Sequence, residues 1–424
     1  MSRAIEIVRA RGITRRTRPL VVLSACSGVT NVLIRITELA IKENTVEALA
    51  AIDQLEARHA RIARELLTGE VLIEQVQQSL HIIWEEVRTL VRGINLLREL
   101  TPKSRDQIQS VGERASSMIF HAALQEQIDN AILFDARDYF VTTNDYCAAR
   151  PVMNEIVRRS KKIRSALAKG VVGVTQGFIG RTLSGDVTTI GRGGSDFSAA
   201  IFGVAIDARE IQIWTDVAGI MTCDPRVAPA ARTIERISFR EASELAFYGA
   251  KVLHPETIWP AVEAGIPVMV LSSKEPEESG TLVESDVPGI REPITGIAVK
   301  RSVILARISP LPSSIYPLPS TVLAVSISVD SATYVLSDPT DVPMLRNASE
   351  GRGSIEIETD RALITLVGPG LREHSGIAGR IFRSLGRTNC EMVSYGGSES
   401  AISLVVNDDV ANRIVKRLHK EFFE

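Results

Sequence analysis

The stretch "TTIGRGGSDFSAA", residues 188–200, combines a short apolar run, three glycines in four positions, one arginine and a Ser-Asp pair. The run is typical of a strand, and the residues from Ser195 onward are typical of a helix. A glycine-rich turn between them can bring backbone N–H groups close to an anion, and the helix N-terminus adds a partial positive charge. Taken alone, the stretch is more simply explained as a tight turn capped by Ser195 or Asp196.

Two common nucleotide motifs are absent from this stretch. There is no GxxxxGK[ST], and "GRGGSD" does not fit GxGxxG. These departures exclude a P-loop and a standard dinucleotide fingerprint.

The regions around the stretch alternate between strand-like and helical patterns. Residues 45–130 are helical by their apolar spacing, with a break at Thr68–Gly69. Strands alternating with helices over this length predict an α/β domain with a mainly parallel sheet. The strand-like runs cover residues 18–26, 131–137, 170–180, 186–191, 209–217 and 266–273.

The pattern changes at about residue 284. "ESDVPGIREPI" is a candidate linker, and short strand-like runs follow it. From residue 361 the order is strand, helix, strand, strand, helix, which with one more strand makes a ferredoxin-like unit. The segment "SPLPSSIYPLPS" at 309–320 holds four prolines, so it can be neither a helix nor a central strand.

Composition limits the class of protein. The chain has 424 residues, enough for two or three domains, and a formal net charge of −2 that gives no reason to expect nucleic acid or an anionic membrane as partner. Four cysteines without a CxxC pair and six histidines without HExxH argue against a disulfide framework or a zinc site. No apolar run reaches 18 residues. We therefore predict a cytoplasmic protein with no metal site of its own.

The first 25 residues carry six arginines and one acid before the first strand. This pattern is compatible with an organellar transit peptide or with a surface helix and a basic loop, and the second interpretation is the simpler one.

Polar residues recur where predicted strands end. They occur in "SACSGVTN" (24–31), "SVGERASS" (110–117), "WTDVAGIMTCDPR" (214–226) and "GAKVLHPET" (249–257). Each alone is explained as a cap, but strand ends of an open α/β sheet are where ligands bind. Arg192 and Glu113 supply the two charges that a zwitterionic amino acid needs.

The chain resembles the aspartate kinases from about residue 3 to its end. The motifs that carry the resemblance are "VVLSACSGVTN", "VGERASS", "TQGFIG", "TTIGRGGSD", "IWTDVAGIMTCDPR", "FYGAKVLHPETI", "PVMVLSSKEPEESGTLV" and "VSYGGSESAISLVV". The monofunctional, lysine-sensitive type is the nearest match. The resemblance implies a three-layer amino-acid-kinase fold over residues 1–285 and a ferredoxin-like ACT region over 286–424. The first ACT unit is expected at about 302–360, inserted into a second formed by about 293–301 with 361–424.

The family reaction converts ATP and L-aspartate to ADP and 4-phospho-L-aspartate, the entry to lysine, threonine and methionine. The resemblance implies that Arg192 binds the α-carboxylate, that Glu113 binds the ammonium group, and that Asp196 is the catalytic carboxylate beside Arg192 and Gly193. The remaining aspartate-binding residues implied are Thr30, Thr189, Gly193 and Ser195, with Ser24 nearby. The implied ATP-binding residues are Thr215, Asp216, Met221, Arg226, Lys251 and Val252. Mg²⁺ is expected to enter with the nucleotide, and the chain is expected to be a homodimer.

Three departures from the family qualify this interpretation. The family's first strand, ending in Lys-Phe-Gly-Gly-Thr-Ser, has no counterpart here, so either the start is misassigned or the printed chain is a poor kinase that forms little product. Met221 stands where the family has Tyr, so altered nucleotide affinity is expected. The Pro-rich segment replaces the effector loop and helix of an eroded first ACT unit, so inhibition by lysine is expected to be weak or absent.

Two other functions remain open on the sequence. One is a degenerate, catalytically weak homologue that binds amino acids for regulation. The other is a kinase of the same family for glutamate or a carbamate, which Glu113, "GRGGSD" and the ACT tail disfavour.

Overall fold

The structure is a computed structural model that describes residues 1–12, 18–191, 193–250, 255–285, 287, 292–310, 321–349 and 354–424. These residues form two compact units, Met1–Ile213 with Glu256–Ile266 and Trp214–Pro255 with Pro267–Glu424. This division by contacts does not coincide with the domain boundary expected near residue 285, which stays a prediction.

The first part of the chain is mostly helical. Its elements are α1 (Ser2–Ile7), β1 (Leu20–Leu23), α2 (Val29–Ile41), α3 (Thr45–Leu66), α4 (Glu70–Leu97), α5 (Pro102–Gln109), α6 (Val111–Gln125), β2 (Ala131–Phe134), α7 (Ala136–Tyr139), α8 (Met153–Ala168), β3 (Val172–Gln176), β4 (Ile179–Arg181), β5 (Val187–Thr189) and α9 (Gly194–Ala205). A π-helical turn follows α1 at Val8–Gly12.

The rest of the chain is richer in strands. Its elements are β6 (Ile211–Thr215), β7 (Arg236–Ser238), α10 (Phe239–Phe247), α11 (Pro255–Glu263), β8 (Val268–Ser272), β9 (Thr281–Glu284), β10 (Gly296–Ser309), β11 (Val322–Ile327), β12 (Ala332–Leu336), α12 (Val342–Ser349), β13 (Ser354–Val367), α13 (Ile377–Leu385), β14 (Met392–Ser394), β15 (Ala401–Asn407) and α14 (Asp408–Phe423). A 3₁₀ turn at Pro339–Asp341 precedes α12.

The first unit contains three of the predicted strands in a parallel sheet, whereas the predicted strand at 186–191 pairs antiparallel. Its sheet has the order β1-β3-β2, with both pairs parallel, and β4 and β5 form an antiparallel hairpin. The predicted helical stretch breaks at Thr68–Gly69 as expected, between α3 and α4. Their apolar stripes pack with α2 and α6 around buried Trp84, Ile52 and Phe120, as amphipathic helices do.

The second unit begins with a mixed sheet of order β6-β8-β9-β7, in which β7 and β9 are parallel and β8 and β9 are antiparallel. Strand β7 is directly followed by helix α10, which begins after Ser238, and Ser238 forms a capping box with Glu241.

The carboxyl-terminal sheet has six strands in the order β11-β12-β10-β13-β15-β14. The runs "GIAVKRS" and "VILARIS" form one strand, β10, with register shifts between Lys300 and Leu305. Gly296 pairs with Val367, so the implied pairing of this segment with strands beyond residue 361 is confirmed. The predicted order from 361 is also confirmed, and α13 and α14 cover one face of the sheet around Ile364 and Leu404. The Pro-rich residues 311–320 lie outside the described residues.

Among the described helices, none has both the length and the apolar composition of a membrane span.

Candidate functional site

The turn that follows β1 is fixed by helix α6. Ser116 Oγ donates a hydrogen bond to the Ser24 carbonyl (2.8 Å), and the Ala25 N–H donates to Glu113 Oε1 (3.1 Å). Ser24 and Ala25 lie in the motif that follows β1, whereas Glu113 and Ser116 lie in the motif that opens α6. The sequence pattern placed both motifs at strand ends. This is wrong for the second motif, because Glu113 follows helix α5 and not a strand, but the two motifs are in direct contact.

Glu113 is a buried acid whose two carboxylate oxygens differ in their hydrogen bonding. It lies in the first turn of α6 and is only 3% exposed. Its Oε2 is buried and has no hydrogen-bond partner in the described part of the chain. Burial raises the pKa of Glu113 to about 7, against the opposing effect of the Ala25 N–H. A buried carboxylate oxygen without a partner is unfavourable, so this group is poised to accept a donor from a ligand.

The glycine-rich loop brings helix α9 to the same place. Gly193 is the N-cap of α9 and has a left-handed backbone, with φ 72°, a conformation that favours glycine. Gly177 lies against the start of α9. A Cβ at this position would be 2.8 Å from Ser195 Cα, so only glycine permits this close approach. Asp196 follows in the first turn of α9, and burial raises the pKa of its carboxyl.

These segments line an open cavity of about 350 Å³. Six of the predicted residues line it, and eight further lining residues, among them Cys26 and Phe178, were not predicted as site residues. Both lie inside quoted motifs, but a thiol and a phenyl ring carry no charge signal that would mark them. The predicted residues that line the cavity are Ser24, Thr30, Glu113, Gly193, Ser195 and Asp196.

The other two residues predicted to bind aspartate are Arg192 and Thr189. Arg192 lies outside the described residues. Thr189 is 1% exposed and is not among the residues that line the cavity. Its hydroxyl donates to Asp106 Oδ1 (2.6 Å), so this side chain contacts a buried acid, and its implied role in aspartate binding stays a prediction.

Those predicted nucleotide residues that the structure describes lie in the second unit. Thr215 ends β6, and its carbonyl accepts hydrogen bonds from the Ser273 N–H (2.7 Å) and Ser273 Oγ (2.8 Å). Asp216 follows and lies 3.6 Å from Lys274 Nζ, with both side chains mostly exposed. Lys274 was not predicted as a site residue, although it lies in the quoted "SSKEPEE". Lys251 and Val252 lie outside the described residues.

The segment after Asp216 is held by strand β10 and helix α14. The Thr222 carbonyl accepts from the Ile297 N–H (2.7 Å), and Thr222 Oγ1 lies 3.1 Å from His419 Nε2 on α14. Cys223 and Ala228 share a hydrophobic core with α13 and α14. The predicted nucleotide segment and the carboxyl-terminal helix therefore form one packed structure.

Met221 and Arg226 flank this anchor. Met221 forms an isolated antiparallel bridge with Thr233. Arg226 Nη2 pairs with Asp224 Oδ2 at 2.7 Å, and this pairing lowers the pKa of Asp224. The Arg226 side chain is mostly exposed, so it is accessible to a ligand.

The chain matches two families. A sequence model of the amino acid kinase family matches residues 1–272, and one of the ACT domain matches residues 364–422. Among curated proteins, lysine-sensitive aspartokinase 3 of Escherichia coli is 32% identical over 100% of this chain and 96% of its own length. Chloroplastic aspartokinase 2 of Arabidopsis thaliana is 32% identical over 96% of this chain and 79% of its own length.

Solved structures agree with this result. Escherichia coli aspartokinase III in complex with aspartate and ADP is 31% identical and superposes with a TM-score of 0.81, over 100% of this chain and 96% of that one. The complex of the same enzyme with lysine and aspartate is 30% identical, with a TM-score of 0.83 over the same shares.

The protein is therefore a kinase-fold enzyme of the amino acid kinase class with a carboxyl-terminal ACT region. Within that class, the chain belongs to the aspartokinase family.

Proposed function

We propose that this chain is an ATP-dependent aspartate kinase that phosphorylates the side-chain carboxylate of L-aspartate. The observation that carries the proposal is the cavity of about 350 Å³, whose lining includes both the first turn of α9 and Glu113, a residue whose Oε2 has no partner among the described residues. A cavity of this size suits a four-carbon amino acid. The two relatives described above, which match nearly the whole of this chain, are aspartokinases.

The reaction asks for positioning rather than for a base. The β-carboxylate of aspartate is already ionised at pH 7, so no proton has to be removed from the nucleophile. The barrier comes from bringing this anion to the γ-phosphate, which is also negative. Catalysis therefore depends on holding the two reactants in line and on neutralising charge.

Glu113 is the proposed ammonium-binding residue. Its Oε1 is used by the Ala25 N–H, whereas Oε2 has no partner among the described residues. An ammonium group at Oε2 supplies the missing hydrogen-bond donor and the opposite charge, which favours the ionised form of this acid. Arg192 is proposed to bind the α-carboxylate through a bidentate pair, which suits a guanidinium.

The opposite side of the cavity is proposed to receive the reacting carboxylate. Ser195 and the backbone at Gly193 lie at the N-terminus of α9, where N–H groups and the helix dipole favour an anion. Thr30 and Ser24 add hydroxyl groups on the other wall. Asp196 is proposed to orient the groups that surround the transferred phosphate.

The ATP side is proposed to comprise Thr215, Asp216, Met221, Arg226, Lys251 and Val252. Within the described residues no cluster of three or more His, Cys, Asp or Glu side chains could hold a metal ion. Mg²⁺ in kinases is held by one or two carboxylates together with the substrate phosphates. We propose that Mg²⁺ arrives with the nucleotide and that Asp196 is available to it.

The remaining assignments rest on family membership. We propose a cytoplasmic homodimer. Lysine is present with the Escherichia coli relative in one structure, but our prediction for this chain remains weak inhibition, because prolines occupy residues 311–320.

The direct test measures aspartyl hydroxamate formed from ATP, Mg²⁺, L-aspartate and hydroxylamine. We expect product that requires both ATP and L-aspartate. Aspartate binding without product would instead identify an amino-acid-binding regulatory homologue.

A further inference from the structure

Asp106 is a fully buried acid outside the cavity. It lies in α5 and is 0% exposed. No part of the proposed reaction uses it, and its place in the helix "PKSRDQIQ" gives no sequence signal of burial. Few aspartates are buried this completely unless they are held by hydrogen bonds.

The Asp106 carboxylate receives hydrogen bonds from two separate segments. The Thr189 N–H donates to Oδ2 (3.0 Å) and the Thr189 hydroxyl donates to Oδ1 (2.6 Å). The Cys147 N–H donates to both oxygens, at 2.9 and 3.1 Å. One side chain therefore joins α5, the loop at Cys147 and the end of β5.

The segment at Cys147 is itself constrained. Cys147 has a left-handed backbone with φ 68°, an uncommon conformation for a residue other than glycine. The charge-assisted hydrogen bonds from its N–H to Asp106 help to hold that conformation. Two residues later, the Ala149 N–H donates to the Thr189 carbonyl (3.0 Å), so the end of β5 is bound from both sides.

Thr189 is the last residue of β5 and directly precedes the loop that leads to Gly193 and α9. We infer that Asp106 is a positioning residue for the aspartate cavity: it fixes Thr189 and thereby sets where the glycine-rich loop begins. This inference rests on the proposed function only in naming aspartate as the ligand. Asp106 acts through Thr189 and the loop, without touching the cavity.

The chain offers a matched control one residue away. Thr188 is also buried, but its hydroxyl meets Thr142 Oγ1 (2.6 Å) and not Asp106. Thr188→Val and Thr189→Val therefore make the same chemical change at neighbouring buried positions. Thr189→Ser keeps the hydroxyl that reaches Asp106.

The experiment compares Asp106→Asn, Thr189→Val, Thr189→Ser and Thr188→Val with the wild-type chain. L-Aspartate and ADP affinities are measured by calorimetry, and amide hydrogen exchange is measured on the peptide that spans residues 186–194. Loss of a hydrogen bond to a charged group predicts aspartate binding weaker by about tenfold or more in Asp106→Asn and Thr189→Val. We expect faster loop exchange in the same two variants, unchanged ADP affinity, and near-normal aspartate binding in Thr189→Ser and Thr188→Val.

Two results would overturn the inference. Equal weakening of aspartate binding by Thr188→Val and Thr189→Val would show a general packing effect. Unchanged loop exchange in both Thr189→Val and Asp106→Asn would show that the acid does not hold the loop. If Asp106→Asn does not fold, the Val and Ser variants at Thr189 still decide the question. If the wild type does not bind aspartate, the proposed function fails, whereas the exchange data still test the hold of Asp106 on the loop.

Discussion

The backbone N–H of Ala25 donates to Glu113 Oε1 at 3.1 Å, and this contact leaves Glu113 Oε2 buried and without a partner in the described chain. One hydrogen bond therefore both fixes the carboxylate and determines which oxygen is available. The free oxygen belongs to a residue that lines the cavity, so the contact links the turn after β1 to ligand binding.

Aspartate affinity should increase as pH rises through 7. Burial raises the pKa of Glu113 to about 7, so the ionised form needed by an ammonium group is in the minority at pH 6. Titration of one group at that pKa predicts binding about tenfold weaker at pH 6 than at pH 8. Calorimetric titrations across this range check the slope, and Glu113→Gln should give a flat profile. A flat profile in the wild type would show that this acid does not titrate with binding.

The same acid should destabilise the empty protein at high pH. Burial raises the pKa of Glu113 in the folded protein, so protonation of this side chain stabilises the fold. This stabilisation is fully present below the unfolded pKa of 4.5 and is lost as pH rises through about 7. Glu113→Gln lacks this titration. Relative to the wild type, its free energy of unfolding should therefore rise by on the order of 3 kcal/mol between pH 4.5 and pH 8. Denaturant unfolding without ligand at these two pH values makes the comparison, and an unchanged difference between the proteins would contradict the assigned environment.

Arg192→Ala should weaken the binding of aspartate and leave the binding of ATP unchanged. Removal of a charged hydrogen-bonded pair predicts a loss of about 1.5–3 kcal/mol, seen as a higher KM for aspartate. Arg192→Lys should recover only part of the loss, because an ammonium group cannot form the bidentate pair. Steady-state kinetics with each substrate varied in turn separates the two KM values. An unchanged KM for aspartate in Arg192→Ala would remove this residue from the pocket.

The His419–Thr222 contact should matter to the nucleotide and not to aspartate. His419→Phe keeps the ring that stacks on Phe423 at 4.8 Å but removes the nitrogen that meets Thr222 Oγ1. We expect a rise in ATP KM that corresponds to about 1 kcal/mol, and a similar effect in Thr222→Val. The double variant should show no further loss, since both changes remove one contact. Glu424→Gln is the control, because its carboxylate is 3.4 Å from the other ring nitrogen and is exposed. Fully additive effects would contradict the coupling.

Much of the fold could be predicted from apolar patterning. The run at 170–180 contains the parallel strand β3, which is fully buried and therefore apolar on both faces, and the run at 18–26 contains its half-buried partner β1. Strand β7 could not be predicted, since three residues are too few for a periodic pattern and the last of them, Ser238, belongs to the capping box of α10. The long strand β10 looked like two strands because polar residues at its irregular centre interrupt the apolar pattern.

The site was predictable where charge or glycine marks it. Glu113 and Gly193 lie in motifs whose composition is unusual for a simple turn, and both line the cavity. Asp106 and the orientation of Thr189 were not predictable. A buried acid inside a short polar helix and a hydroxyl that points away from the cavity differ from ordinary surface residues only in tertiary contacts.

The central claim is that Glu113 recognises the substrate ammonium group, and succinate tests it most directly because it is aspartate without that group. Calorimetry at pH 8 compares L-aspartate with succinate in the wild type, in Glu113→Gln and in the control Glu86→Gln, whose carboxylate pairs with Arg114. We predict that the wild type and the control prefer aspartate by about tenfold or more, and that Glu113→Gln loses this preference. An equal preference for aspartate in all three proteins would contradict the account.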